Sequence, residues 1–177
     1  MDLEVLRKDM IVSQRKGQPF IVASIIIWVL ITLVTMMKVS LPFQNLLIFC
    51  CSCPLLPLSW FVGKWLNVDI FSKENPLTNL GFLFTCNQLI YLLIVMWVFS
   101  AVPEKMLMVY TMVFGAHLLP YSWLYKSRTY FVFAILIPIL ALVLGHMASM
   151  TCLSLVMVFL EIVFAMLLQV ELNANNN

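Results

Sequence analysis

Long stretches without a charged residue constrain the fold of this chain more than any other feature of its sequence. A charged side chain at the centre of a bilayer costs at least about 2.5 to 3.5 kcal/mol, and a helix that crosses the hydrocarbon core needs about 20 mostly apolar residues. These stretches therefore indicate helices that cross a membrane. Charge-free runs cover residues 17–37, 39–63, 75–103, 106–125 and 129–160, and the last continues beyond Glu161 to Val170.

The composition leads to the same class of protein. Of the 177 residues, 63% are hydrophobic and 10% are charged, whereas globular domains carry about 25% charged residues. A soluble domain of this size buries only about 70% of its surface, so the remaining apolar side chains need lipid as their solvent. The lipid bilayer is thus the expected partner. The net charge of +2, without a dense basic patch, argues against nucleic-acid binding.

The last apolar stretch is long enough for two crossings. It extends from Thr129 to Val170, about twice the length of one span, and the segment from Gly145 to Ser149 in its middle can form a short turn. We therefore predict an all-α polytopic membrane protein, a compact bundle of six transmembrane helices with short hairpin loops. The predicted spans 1 to 6 cover residues 19–37, 43–63, 78–102, 105–124, 129–147 and 149–169.

Lysine and arginine residues are unevenly distributed between the two sides of these spans. Eight lie before span 1 or in the loops after spans 2 and 4, whereas Lys38 and Lys105 lie on the other side. Because basic residues favour the cytoplasmic side, we expect a multi-pass protein of the cell membrane with both termini in the cytoplasm. The eight residues are Arg7, Lys8, Arg15, Lys16, Lys64, Lys73, Lys126 and Arg128.

Two segments flank the predicted transmembrane domain of residues 19–169. Residues 1–18 carry an apolar stripe from Leu3 to Met10 with charges opposite, a pattern typical of an amphipathic helix on the cytoplasmic membrane surface. A frayed tail is the alternative for this segment. Residues 170–177 are rich in asparagine, and we expect them to form a disordered cytoplasmic tail.

Polar residues inside the spans are candidates for function, because they are costly in lipid. Glu161 lies about eight residues before the cytoplasmic end of span 6, which places it roughly 12 Å deep. His117 in span 4, with Asn87 and Gln88 in span 3, has a similar depth of roughly 10 to 15 Å. If these spans are neighbours, the side chains form one buried polar site. Tyr121 shares the helical face of His117 and borders the same site.

This predicted site has two interpretations. Glu161 and His117 could share a proton and exchange it near neutral pH, as a proton or substrate site requires. Alternatively, the same polar groups only fasten helices together through hydrogen bonds worth about 0.6 kcal/mol each. The sequence leaves both interpretations open.

Four prolines predict breaks in the helices. Pro54 and Pro57 lie in span 2, Pro120 lies in span 4 and Pro138 lies near the middle of span 5. A proline cannot donate a hydrogen bond to the carbonyl four residues before it, so in lipid that carbonyl needs another partner. Broken helices in spans 2 and 5 would suit a transporter built from two inverted halves, although the halves show no sequence similarity.

The sequence carries no recognisable catalytic or metal-binding motif. Cys50, Cys51 and Cys53 form a CCxC run, which we interpret as small packing residues in lipid and not as a redox pair or a copper path. Motifs of zinc proteases, of serine hydrolases and of phosphate-binding loops are absent from the sequence. We therefore predict no cofactor, no metal and no catalysis, with a membrane-embedded transferase that uses His117 as the alternative.

Four segments resemble a known protein family. They are CCSCPLLPLSW (Cys50–Trp60), VDIFSKENPL (Val68–Leu77), VPEKM (Val102–Met106) and GAHLLPYSWLY (Gly115–Tyr125). Together they resemble a family of small uncharacterised bacterial six-span integral membrane proteins, and the likeness covers most of the chain. The resemblance implies a multi-pass protein of a bacterial cell membrane. It implies no particular activity and no site residue.

Two classes of function are consistent with these features. The leading hypothesis is a small transporter-like or channel-like protein with a buried protonatable site, whose cargo is a proton or a small solute. The alternative is a noncatalytic interaction or regulatory protein that acts through a membrane partner protein or as a homo-oligomer.

Overall fold

The computed structural model describes residues 2–72 and 74–175, so that Lys73, Asn176 and Asn177 of the predictions lie outside the described residues. Within those ranges every regular element is a helix, and a 3-10 turn at Arg15–Gly17 joins the first two α-helices. The α-helices of this part of the chain are α1 (Leu3–Ser13), α2 (Gln18–Thr35), α3 (Leu41–Ser52), α4 (Leu55–Trp65), α5 (Leu77–Ala101), α6 (Met106–Ala116), α7 (Leu119–Leu124), α8 (Arg128–Met147) and α9 (Met150–Asn175).

Six segments of the described residues are long and apolar enough to cross a membrane, which confirms the all-α fold with six spans. Span 1 is α2 with the turn before it, span 3 is α5, span 5 is α8 and span 6 is α9. Spans 2 and 4 are each built from two helices, α3 with α4 and α6 with α7. The limits of the six segments are Arg15–Thr35, Leu41–Trp65, Leu77–Ala101, Pro103–Leu124, Arg128–Met147 and Met150–Ala174.

Local sequence explains where several spans begin. The Oγ of Ser127 accepts a hydrogen bond from the backbone N–H of Tyr130 at 3.3 Å and thereby caps α8. The Oγ of Ser149 accepts a hydrogen bond from the backbone N–H of Cys152 at 3.2 Å, at the start of α9. Pro42 lies in the first turn of α3, where its missing N–H is not needed.

The last helix extends beyond the predicted end of span 6 at residue 169 and continues to Asn175. Glu171, which the sequence analysis assigned to a tail, accepts hydrogen bonds from Ser127 and Thr129 at the start of α8. These contacts tie the final turns of α9 to the bundle and explain why the helix continues.

The helix α2 lies at the centre of the bundle. It packs against α9 on one side and against α3 and α4 on another. Within this span, 56% of an 18-residue apolar stretch is buried. The helix α6 packs against α8 and α5, and α8 connects the two groups through its contact with α9. The helix α5 is peripheral, because only 11% of its 18-residue apolar stretch is buried. Most of its surface therefore faces lipid.

Aromatic side chains fill the space between the two groups of helices. Trp28 of α2 is 1% exposed and makes edge-to-face contacts with Tyr110 and Phe114 of α6, with ring centroids 5.8 and 5.6 Å apart. Phe164 of α9 stacks on Phe133 of α8 at 4.6 Å. Each such pair contributes about 0.5 to 1.5 kcal/mol beyond the burial of its surface.

Two of the four predicted prolines accompany interruptions of a helix. Pro54 lies between the end of α3 and the start of α4, and Pro120 lies in the first turn of α7, just after α6 ends. At the first interruption the hydroxyls of Ser52 and Tyr110 lie 2.6 Å apart. This hydrogen bond joins the broken span 2 to span 4, and the Cys50 carbonyl at the break accepts a hydrogen bond from the Cys53 N–H at 3.1 Å.

The structure corrects the prediction for the other two prolines. Pro57 lies in the first turn of α4, where no N–H is required, so it adds no break of its own. Pro138 lies inside α8, which is continuous from Arg128 to Met147. A Cβ on Gly115 of α6 would lie 2.5 Å from the Cδ of Pro138, so the missing side chain of Gly115 accommodates the proline ring.

The N-terminal helix α1 packs against the bundle through one face. Met10 and Ile11 are buried, and the Arg7 guanidinium donates a hydrogen bond to the carbonyl of Trp123 while stacking on its ring. The Nδ2 of Asn75 donates a hydrogen bond to the carbonyl of Leu6 at 2.7 Å. Of the apolar stripe that predicts a helix on the membrane surface, Met10 contacts protein at this end of the bundle, which we call the terminal end, whereas Leu3 is 44% exposed.

We predict that Gly115→Ala lowers the free energy of unfolding by about 1 to 3 kcal/mol, because an added methyl group would force α6 away from α8. A Cβ at this position would approach Ile137 Cβ to 2.8 Å. The matched control is Gly81→Ala, whose Cβ would meet its nearest neighbour, Met10 Cε, at an ordinary 3.5 Å. Denaturation in mixed micelles, followed by circular dichroism, measures both variants. Equal stabilities would contradict the close α6–α8 contact.

Candidate functional site

Polar side chains meet at three levels along the interface between α9 and α2 with its preceding turn, which we call the seam. One level lies at the terminal end, one lies in the middle of the helices and one lies at the opposite end. Polar contacts inside a membrane bundle are costly unless they are paired, so their recurrence on one interface marks it as a candidate site. The contacts are Lys16–Glu171, Gln18–Gln169, Ser24–Glu161 and Thr35–Ser154.

The middle level consists of Glu161 and Ser24. Glu161 has no exposed surface, and its Oε2 is hydrogen-bonded to the Oγ of Ser24, which is itself buried. The Ser24 Oγ also lies 2.7 Å from the backbone carbonyl of Ile21. Within residues 2–72 and 74–175, the Oε1 of Glu161 has no hydrogen-bond partner. The carboxyl group is therefore only half satisfied.

At the opposite end the seam is held by weaker, neutral contacts. The hydroxyls of Thr35 and Ser154 lie 3.4 Å apart, and the Thr151 hydroxyl lies 3.4 Å from the Thr35 carbonyl. Both distances exceed the range of about 2.5 to 3.0 Å that is usual for hydrogen bonds from hydroxyl donors to oxygen acceptors. The sequence analysis predicted that this face of α9 points inward, and Ser154 is fully buried.

At the terminal end the seam is closed by an ionic cluster, which we call the clasp and which consists of Lys16, Ser127, Thr129, Tyr130 and Glu171. The Nζ of Lys16 lies 2.7 Å from Glu171 Oε2, although Lys16 is only 2% exposed. The same carboxylate accepts hydrogen bonds from Ser127 Oγ at 2.7 Å, from Thr129 Oγ1 at 2.7 Å and from the Thr129 N–H at 2.9 Å. The clasp thus joins three separate parts of the chain.

The backbone beside the clasp has an unusual conformation. Arg15, Lys16 and Gly17 have φ angles of 45°, 53° and 71°, in the left-handed region that only glycine adopts without cost. The hydroxyl of Tyr130 donates a hydrogen bond to the carbonyl of Lys16 at 2.9 Å. A Cβ on Gly17 would lie 3.0 Å from that hydroxyl. Glycine is thus required here both by φ and by the close approach of the tyrosine.

His117 and Tyr121, two residues of the predicted site, belong to a different cluster. The Nδ1 of His117 contacts the carbonyl of Phe114 in its own helix, and its ring lies 6.0 Å from that of Tyr121. The Tyr121 hydroxyl pairs with the Thr85 hydroxyl at 2.8 Å, which ties span 4 to span 3. Beyond it, burial raises the pKa of Tyr125, so this neighbouring hydroxyl stays neutral.

Asn87 and Gln88, the other two, lie on the peripheral helix α5. Both side chains are half-buried, and neither forms a hydrogen bond with another described residue. Asn87 lines a groove of about 380 Å³ together with Pro120. The structure therefore brings His117 and Tyr121 together but does not join them or the two amides to Glu161.

The reason for this difference is the packing order of the helices. The helix α5 packs on α6 and α7, whereas α9 packs on α2 and α8, so spans 3 and 6 lie on different flanks. Equal depth fixes the position of a residue along the membrane normal and says nothing about its direction around the helix axis. Glu161 is buried, but among the described residues it forms no hydrogen bond with His117, Asn87 or Gln88, and the four-residue cluster stays a prediction.

Three residues of the seam were missed by the sequence analysis. Ser24 looked like an ordinary hydroxyl in an apolar span, and Glu171 looked like part of a tail. Lys16 counted only as a charge that sets orientation. A usable signal was present, since span 1 is apolar apart from Ser24, Thr32 and Thr35, but the face that Ser24 and Thr35 share becomes significant only once α9 is known to cover it.

The described residues contain no group of three His, Cys, Asp or Glu side chains that could hold a metal ion. Cys50 and Cys53 are exposed at the interruption of span 2, and Cys51 is half-buried. The seam carries hydroxyl, amide, carboxyl and ammonium groups, which are hydrogen-bond donors and acceptors.

The six apolar helices and the buried carboxyl define the chain as a multi-pass α-helical membrane protein with a polar seam in its interior. The family model described as a family of unknown function, DUF7010, matches residues 3–171. The chain belongs to this family, in agreement with the resemblance to a family of small membrane proteins. No curated protein and no solved structure matches the chain.

We predict that Ser24→Ala lowers the free energy of unfolding by about 1 kcal/mol, because it leaves the buried Glu161 without a hydrogen-bond partner. The control is Ser122→Ala, whose hydroxyl bonds only to the Leu119 carbonyl of its own helix at 2.7 Å; we expect a change below about 0.5 kcal/mol. Unfolding in mixed micelles measures both. If Ser24→Ala costs no more than the control, the Ser24–Glu161 contact adds nothing to stability.

Proposed function

We propose that the protein is a small transporter that moves protons across the membrane along the seam, with Glu161 as its protonatable group. The observation that carries this proposal is the position of Glu161, fully buried midway along α9 with one carboxyl oxygen on Ser24 and the other unpaired. A purely structural carboxyl would be expected to have both oxygens satisfied. An ionisable residue inside a membrane bundle is by default a functional candidate.

The hydrogen bonds of Ser24 favour a neutral Glu161. A serine hydroxyl has one proton, yet its Oγ is within hydrogen-bond distance of both Glu161 Oε2 and the Ile21 carbonyl. Both contacts are satisfied when a protonated Glu161 donates to Ser24 and Ser24 donates to the carbonyl. A carboxylate would have to compete with the carbonyl for that single proton. The site is thus suited to hold a proton.

The same geometry favours a proton over a metal cation as the cargo. Hard cations such as calcium and magnesium take six or more oxygen ligands, whereas Glu161 and Ser24 together supply three side-chain oxygens. A proton needs only one donor and one acceptor. A second unpaired buried oxygen, the Oε1 of Gln18, lies on the seam toward the terminal end, which adds a further acceptor along the proposed route.

The distances along the seam require motion or entry of water during transport. By helical rise, Glu161 lies about 15 Å from Glu171 and about 10 Å from Ser154 along α9. Neither neighbouring level can exchange a proton with Glu161 directly over such lengths. We therefore propose that α9 separates from α2 at one end at a time, so that water reaches Glu161 alternately from the two sides.

We also propose the setting in which this occurs, a bacterial cell membrane with the terminal end toward the cytoplasm. The support is the excess of lysine and arginine at the terminal end, which favours the cytoplasmic side.

The test uses the purified protein in sealed vesicles that contain a pH-sensitive dye. A potassium diffusion potential should drive proton entry in the wild type, and Glu161→Gln should reduce the rate to that of protein-free vesicles, because an amide holds no exchangeable acidic proton. The matched control is Glu104→Gln, the same chemical change at an exposed carboxylate outside the seam, which should leave the rate unchanged. Wild-type vesicles without proton flux, or a fully active Glu161→Gln, would refute the proposal.

A second candidate is a noncatalytic interaction protein, and one observation favours it. Asn87 and Gln88 lie near the middle of the peripheral helix α5, whose 18-residue apolar stretch is only 11% buried. Neither side chain forms a hydrogen bond with another described residue. Amides in hydrocarbon favour association with another helix. Vesicles without proton flux, together with a stoichiometric partner or a second copy after purification, would support this function instead.

A further inference from the structure

We infer that the clasp is the gate at the terminal end of the seam: the Lys16–Glu171 ion pair must open before water can reach Glu161 from that end. This inference names the regulation of the site and rests on the proposed function. It concerns the path to Glu161, which can be examined without any measurement of transport.

Water can approach the seam closely at the terminal end. A depression of about 240 Å³ opens there, lined by Arg15, Gln169 and Leu172 among others. The Oε1 of Gln169 accepts hydrogen bonds from Arg15 at 2.9 Å and from Gln18 at 3.0 Å. By helical rise, Gln169 lies about 12 Å from Glu161 along α9. The remaining separation is the length of seam that the clasp holds shut.

The clasp is the strongest contact along the seam. Its ion pair has an N–O distance of 2.7 Å, and the side chains of Lys16 and Glu171 are 2% and 23% exposed. Charge-assisted hydrogen bonds of this kind are about twice as strong as neutral ones. At the opposite end, the Thr35–Ser154 and Thr151–Thr35 contacts are neutral and 3.4 Å long. The two ends of the seam are therefore closed by contacts of different strength, and the stronger contacts lie at the terminal end.

The clasp joins three elements of the bundle. Glu171 belongs to α9, its partners Ser127 and Thr129 belong to the start of α8, and Lys16 belongs to the turn before α2. Separation of α9 from α2 at this end must break the Lys16 contact, while the contacts to α8 can persist. The ion pair, together with the hydrogen bonds of Arg15 and Gln18 to Gln169, thus distinguishes a closed terminal end from an open one.

The backbone conformation of the turn makes the closed position a strained one. Arg15 and Lys16 have φ angles of 45° and 53°, and non-glycine residues remain in this region only where surrounding contacts hold them. Those contacts are the Lys16 side chain on Glu171 and the Lys16 carbonyl on Tyr130. Loss of the ion pair therefore removes one restraint and lets the turn relax away from α9.

The experiment measures water access on each side of Glu161 with two reporter cysteines on its face of α9. Ala165→Cys lies one turn toward the clasp and Val158→Cys lies one turn toward the opposite end. The protein is placed in nanodiscs, where both ends meet water, and reacted with a membrane-impermeant maleimide. Peptide mass spectrometry reads each site separately, with the native cysteines as internal references.

We expect both reporters to be protected when the clasp is intact. Lys16→Met should raise the reaction rate at Ala165→Cys at least about ten-fold, because removal of one partner of a buried ion pair is strongly destabilising, and should leave Val158→Cys within about two-fold. Lys16→Arg, which keeps the charge, should preserve protection. Glu4→Gln is the matched control, because it removes the pairs with Arg7 and Lys126 at the same end without touching the seam.

Three results would overturn the inference: labelling of Ala165→Cys in the otherwise native protein, continued protection in a folded Lys16→Met variant, or equal exposure of both reporters. If Lys16→Met fails to fold, Glu171→Gln keeps an oxygen acceptor for Ser127 and Thr129 but removes the charge that pairs with Lys16, and it should raise the Ala165→Cys rate by a smaller factor. Because labelling does not require proton movement, a clasp that gates normally in a protein without proton flux would refute the proposed function alone.

Discussion

The packing of α9 against α2 is the contact on which the rest of this structure depends. Both helices bring polar side chains to that interface at matching heights, so that Glu161, Gln169 and Glu171 of α9 each meet a partner from α2 or its preceding turn. In lipid a carboxyl group without such a partner would be excluded from the span. The central place of α2, the inward direction of Glu161 and the closure of the terminal end all follow from this one interface.

The architecture was largely predictable from the sequence, and the site was not. Charge-free runs and the turn at Gly145–Ser149 yield six spans, because a bilayer penalises charge at every position along a span and so leaves a signal in one dimension. The grouping of Glu161 with His117 and Asn87 used depth alone, which is also one-dimensional. Which helix faces which depends on side-chain fit around each axis, and Ser24, the actual partner of Glu161, carries no signal until α9 is placed beside it.

The prolines show the same limit at a smaller scale. A proline removes one hydrogen bond from the interior of a helix, so the sequence predicts a break at each of the four, yet only Pro54 and Pro120 accompany one. Pro138 is tolerated because Gly115 on the facing helix leaves space for its ring. The outcome is decided by a residue that is distant in sequence and close in space, which local patterns do not contain.

The contact between Gly115 and Pro138 has a mechanical consequence. Where two helix backbones approach this closely, sliding of one helix along the other would produce a steric collision. We therefore expect α6 and α8 to move as one rigid unit. We expect the more flexible helix interface to be the seam between α2 and α9, which is lined by hydroxyl groups. A rocking movement of α9 about its contact with α8 would widen one end of the bundle while narrowing the other.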